Sequence, residues 1–124
     1  MKQQNFETGK LGEEIARKHL KSKDFKIITS NFKTKFGEID IIAAKTKILV
    51  FVEVKLKIGE DFGTPEEMVN GIKIHQVQST AIAFLQQNPQ IDNQYDGYRI
   101  DAVCIVLDQN RKVTRINHYE NLTF

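Results

Sequence analysis

The stretch "GEIDIIAAKTKILVFVEVK", residues 37–55, decides the fold. It is built from Ile, Val, Leu, Ala and Phe, as two buried strands should be, with "AKTK" as the break between them. Glu38 stands at its start, and Asp40, Glu53 and Lys55 interrupt its apolar runs. Side chains two apart in a strand share a face, so Phe51, Glu53 and Lys55 point one way while Val50, Val52 and Val54 point the other, into packing. A hairpin loop of two or four residues puts Asp40 on the same face as Glu53, and a four-residue loop at 45–48 makes the paired positions sum to 93, which sets Asp40 directly opposite Glu53. Opposed Cβ atoms lie about 4.5–5.5 Å apart. Two partly desolvated carboxylates at that distance repel unless positive charge sits between them. A hard divalent cation, Mg²⁺ or Mn²⁺, suits such oxygen ligands. Lys55, one step along the same face, then reaches water or substrate at the metal. The alternative is a structural ion pair, but one lysine does not balance the acids.

Around this hairpin the pattern reads α-β-β-β-α-β-β. A helix spans about 6–23, capped by Asn5 or Thr8. Its Gly9, Gly12, Ala16 and Leu20 share a face, and two glycines there imply close backbone approach to a sheet. Glu13 borders that face and Glu14 points to solvent. Strands are expected at 25–32, 36–43, 48–56, 98–107 and, as an edge, 112–119. Apolar residues at nearly every position of the central strands mean that both sheet faces are covered. Thr64-Pro65-Glu66-Glu67 has a helix-start pattern, but Asn70-Gly71 shifts the main helix to about 71–88, with Ile74, Val77, Ala81, Phe84 and Leu85 facing inward.

With 124 residues, 40% hydrophobic and 27% charged, the chain is expected to form one domain, residues 1–124. No apolar run approaches the roughly 20 residues of a membrane helix, and the N-terminus lacks a signal-peptide pattern, so no membrane partner and a cytoplasmic location are expected. The lone Cys104 excludes an internal disulfide and a cysteine metal cluster, and reads as a core thiol. His19, His75 and His118 have no ligand spacing. Arg99 and Asp101 read as a local pair. Residues 1–60 hold 13 Lys/Arg against 8 Asp/Glu, and residues 61–124 hold 5 against 8, an asymmetry that hints at a polyanion surface.

"GKLGEEIARKHL", "GEIDII", "VFVEVK" and "YRIDAVCI", in this order, resemble the bacterial UPF0102 (YraN) family. That family looks like a branch of the PD-(D/E)XK nucleases and is similar to archaeal Holliday junction resolvases. The resemblance runs from Gly9 to about Ile105. It implies an α/β, restriction-endonuclease-like αβββαβ core, a central mixed sheet flanked by helices. It also implies a metal-dependent endonuclease acting on DNA, branched or single-stranded, in which Asp40, Glu53 and Lys55 are catalytic. Asp40, Glu53, the Val54 carbonyl and Glu13 would serve the metal. Lys33, Lys35, Lys57 and Lys73 would contact phosphates, and Gln76, one turn after Lys73, would come within reach of the site. Many relatives continue the third motif with Thr-Arg, whereas this chain has Leu56 and Lys57, which keeps charge without bidentate geometry. Cutting a junction needs two sites, hence a homodimer. The alternative function is a nucleic-acid-binding accessory protein of nuclease fold without efficient cleavage.

Overall fold

A computed structural model describes the backbone of residues 2–122 and the side chains of residues 8–122. The chain forms α1 (Lys2–Ser22), β1 (Lys26–Thr34), β2 (Gly37–Lys45), β3 (Ile48–Ile58), a 3-10 turn (Pro65–Met68), α2 (Gly71–Gln87), α3 (Pro89–Asp92), β4 (Gly97–Leu107) and β5 (Val113–Tyr119). The expected order holds, with α3 as an addition. The five strands lie in the order β1-β2-β3-β4-β5. Only β3 and β4 are parallel, because α2 crosses between them. The result is a mixed α/β sheet with a helix on each face, consistent with a restriction-endonuclease-like core.

Each face carries its own apolar cluster. On one side Ala16 and Leu20 of α1 pack with Ile41, Ala43, Val50, Val52, Val103 and Ile105. On the other, Ile74, Val77, Ala81 and Phe84 of α2 pack with Ile42, Leu49, Phe51 and Ile100. Val50 and Val52 thus lie on the α1 side and Phe51 on the α2 side, the alternation expected of β3. Cys104 is buried in the sheet, and burial pushes its thiol up to about 12. None of the described helices is long and apolar enough to cross a membrane.

Several local expectations change. α1 begins at Lys2, ahead of Asn5 and Thr8, so neither residue starts it. Thr64 makes no side-chain cap, and the helix-start pattern there yields only the 3-10 turn. Asn70 caps α2 instead, its side-chain oxygen accepting the Lys73 N–H at 3.0 Å. Of the two loop lengths expected for the β2–β3 turn, the shorter is the one formed, since Lys45 pairs with Ile48. Shortening the loop by one residue on each side leaves the sum of paired positions unchanged. A Cβ on Gly12 would stand 3.2 Å from the Leu56 Cβ, so α1 does approach β3 closely there, whereas nothing lies within 4 Å of a Cβ on Gly9.

The segment between β3 and α2 is fastened to the far edge of the sheet. Arg115 of β5 donates to Glu60 at 2.8 Å and to both carboxylate oxygens of Glu66 at 2.7 and 2.9 Å. Tyr119 adds a 2.8 Å bond to Glu66. The Arg115 guanidinium holds the Glu66 carboxyl down to about 2.

Gly12→Val should destabilise the fold by about 1–3 kcal/mol, because the added methyls have only Leu56 and Val54 to displace. Urea denaturation measures this. An unchanged midpoint would contradict the close approach of α1.

Candidate functional site

The β2–β3 ladder runs from Lys45↔Ile48 to Ile41↔Val52 and ends there. Beyond that point β2 continues against β1 as far as Thr34↔Gly37, while β3 continues against β4 as far as Ile58↔Leu107. The two central strands therefore fork, and one step beyond the last pair the register sets Asp40 opposite Glu53, as the arithmetic requires. Asp40 Oδ2 accepts the Val54 N–H at 2.8 Å, satisfying a main-chain donor that the ladder no longer serves. The pleat slips at the same level: Ile39 and Ile42, three apart, both join the α2-side core. On the β1 side the pairs Ser30↔Ile41 and Phe32↔Ile39 flank Asn31, which faces Asp40 with φ +55°. Asparagine tolerates this left-handed conformation better than most residues. The Asn31 side chain lies by Glu13 of α1 and lowers its carboxyl against the upward push of burial.

The fork concentrates charge. Glu53 is only 2% exposed. Lys55 Nζ and Lys73 Nζ each stand 3.5 Å from Glu53 Oε1, while Oε2 is buried with no hydrogen-bond partner. Burial and then the charge of Asp40 push the Glu53 carboxyl up to about 7, against the pull of both lysines. Asp40 is also raised, mainly by burial, with the Val54 N–H opposing. Glu13 is raised by burial and then by Asp40. Each acid makes its neighbour harder to ionise, so the cluster is a sink for positive charge.

Residues 12–105 match the family described as "Uncharacterised protein family UPF0102". The chain belongs to the UPF0102 family. A UPF0102 protein of Syntrophomonas wolfei is 37% identical over 117 residues, covering 94% of this chain and 97% of that protein. One from Dictyoglomus turgidum is 38% identical with the same coverage. One from Thermodesulfovibrio yellowstonii is 37% identical over 119 residues, covering 96% and 97%. The span matched to UPF0102 takes in Glu13, Asn31, Asp40, Glu53, Lys55 and Lys73, and ends before Arg115 and His118.

In this UPF0102 chain the structure gathers Asp40, Glu53 and Lys55 at the fork, with Glu13 reaching it from α1. Among the described residues no three His, Cys, Asp or Glu side chains converge closely enough to hold a metal ion alone. Lys73, expected on phosphates, instead pairs directly with Glu53. Lys33 pairs with Glu38 at 3.4 Å, and Lys35 Nζ sits 5.3 Å from the centre of the Phe36 ring. Lys57 lies half-buried on β3 opposite Val106. Gln76 is exposed, with its Cβ 3.8 Å from where a Cβ on Gly37 would lie. A groove of about 650 Å³ opens between α1 and β1, lined by Glu13, Arg17, Asn31, Lys33 and Glu38 among others. Glu38, at the start of β2, lies in this groove and contributes to raising both Glu13 and Asp40. Arg99 and Asp101 pair as expected, at 3.0 Å. Buried Asp101 also bonds His118 at 2.8 Å and the Asn121 N–H at 2.9 Å, which makes His118 structural. Sequence reasoning missed Asn31, whose signal was an asparagine in the middle of a strand.

The raised Glu53 fixes a pH sign. Its folded-state value of about 7 lies above the 4.5 of an unperturbed glutamate. Folding therefore favours the protonated acid, and the contribution to stability is lost as pH rises from about 4.5 through 7. Without divalent ions, Glu53→Gln should stabilise the protein at pH 8 by on the order of 2 kcal/mol and do little at pH 4.5. Denaturation midpoints at the two pH values test this, and a loss of stability at pH 8 would contradict it.

Proposed function

We propose that this protein is a divalent-metal-dependent endonuclease that hydrolyses DNA phosphodiester bonds, with Asp40, Glu53 and Lys55 as its catalytic group. The observation that carries the reading is the juxtaposition of Asp40 and Glu53 at the fork, where a buried Glu53 oxygen is left unpartnered and Lys55 stands 3.5 Å from the other. Leaving a buried acceptor unsatisfied costs about 1–3 kcal/mol, more for a charged group, so the site is built to receive a positive partner. The donor set fits Mg²⁺ or Mn²⁺: hard oxygens from Asp40, Glu53 and the Val54 carbonyl, with Glu13 placed for a bound water or a second ion. When bound, such an ion neutralises phosphate charge and lowers the pKa of water.

The protein's own groups do the rest. Lys55 orients the attacking water and stabilises charge developing on the phosphate. Lys73, on the other side of Glu53, keeps that carboxylate available in the ionised form that a cation needs. Asn31 lies by Glu13 and eases its ionisation. Lys33, Lys35 and Lys57 position the strand through its phosphates. Action on a junction would require two such sites, and so a homodimer.

Purified protein incubated with branched or single-stranded DNA and Mg²⁺ or Mn²⁺ should cut it. Asp40→Ala and Lys55→Ala should each slow cleavage by about 100-fold or more. Calorimetric Mn²⁺ titration should show binding weakened by Asp40→Ala and largely kept by Lys55→Ala. Cleavage unaffected by either substitution would sink the enzyme reading, and DNA binding without cleavage would leave the accessory-protein alternative.

A further inference from the structure

Eight large apolar side chains are exposed on the described surface. Four of them, Phe36, Phe62, Met68 and Ile72, belong to the two segments that leave the sheet at the forked end, the β1–β2 turn and the lead-in to α2. Phe62 is the more prominent aromatic, 97% exposed. Its surroundings are poor for a polyanion, because Glu60, Asp61, Glu66 and Glu67 lie around it in the chain, and Arg115 is already bound to Glu60 and Glu66.

Phe36 has the opposite setting. Thr34↔Gly37 is the last pair of the β1–β2 hairpin, so Lys35 and Phe36 are its two corner residues. The Phe36 N–H donates to Thr34 Oγ1 at 3.0 Å, and Gly37 takes a φ of +146° that side chains avoid, so the corner is held in one shape. The Phe36 ring is 51% exposed, with the Lys35 ammonium beside it. An exposed ring next to a cation is the combination that single-strand binders use, stacking for the base and charge for the phosphate. Phe36 is four residues from Asp40, about 13 Å along the strand, or roughly four stacked nucleotides. The α1–β1 groove, with Lys10, Arg17 and Lys33, opens off the same strands. It also holds Glu13, Glu14 and Glu38, so stacking rather than net charge must supply much of the grip.

We propose that the Lys35–Phe36 corner is a stacking platform for an unpaired base of the strand whose phosphate reaches Asp40 and Glu53. The substrate is then a single strand or a splayed end, because bases inside an intact duplex have both faces covered by their neighbours. This rests on the nuclease reading of the fork and goes beyond it by naming the substrate class.

Phe36→Trp tests the proposal, since the chain has no tryptophan of its own and the introduced indole is a sole reporter. Without divalent ions, a twelve-residue oligo-dT should quench its emission saturably, and a blunt hairpin duplex should need at least about tenfold higher concentration. Phe36→Ala should bind the oligonucleotide about 5- to 150-fold more weakly and the duplex almost unchanged. Two results overturn the platform: oligo-dT bound equally by Phe36→Ala without quenching the indole, or indole emission that follows protein concentration as the mass doubles, which assigns the ring to a second copy. Quenching as expected in a protein that never cuts DNA would keep the platform and remove the nuclease reading.

Discussion

One hydrogen bond, from the Val54 N–H to Asp40 Oδ2, stands where the two central strands separate. A sheet that opens in its interior leaves main-chain donors without a ladder partner, and a buried unpaired N–H is expensive. Asp40 supplies the missing acceptor with a side chain, so the strands part without orphaning Val54. The same carboxylate is thereby fixed beside Glu53. Structure and chemistry at the fork use one group, which is why Asp40 has little freedom to become anything else.

The opening also solves a problem of access. A continuous sheet keeps its two faces apart, and here α1 packs on one and α2 on the other. Glu13 comes from the α1 side and Lys73 from the helix on the α2 side, yet both act on the Asp40–Glu53 pair. Only where the sheet is forked can groups from opposite layers converge. The two apolar clusters hold the layers firmly enough for Glu53 to stay buried against its own tendency to find water.

Much of this was legible before any coordinates. The apolar runs and the turn define a sum of 93, and two- and four-residue turns share it, so the register does not depend on which of the two the hairpin uses. Alternation placed Phe51 and Val52 on opposite faces, and Asn70-Gly71 located the start of α2. What escaped depends on partners far apart in sequence. Lys73 meets Glu53 only once α2 is docked, and a helical period cannot say which acid its first turn overhangs. Asn31 looks like any polar strand residue until its backbone turns left-handed opposite Asp40. His118 belongs with Asp101 only because β5 pairs with β4. Gly9 and Gly12 share a helix face, yet only Gly12 lies where α1 crosses β3.

The last strand carries a different kind of weight. None of its residues is fully buried, and Ile116 is its one contribution to the packed clusters. Its contribution to the apolar core is therefore small. Through Arg115, however, it grips Glu60 and Glu66, two points on the span that leads from β3 toward Lys73. The chain's final strand is thus an outrigger: it adds little to the hull, but it keeps the span leading to one of Glu53's two cations from drifting.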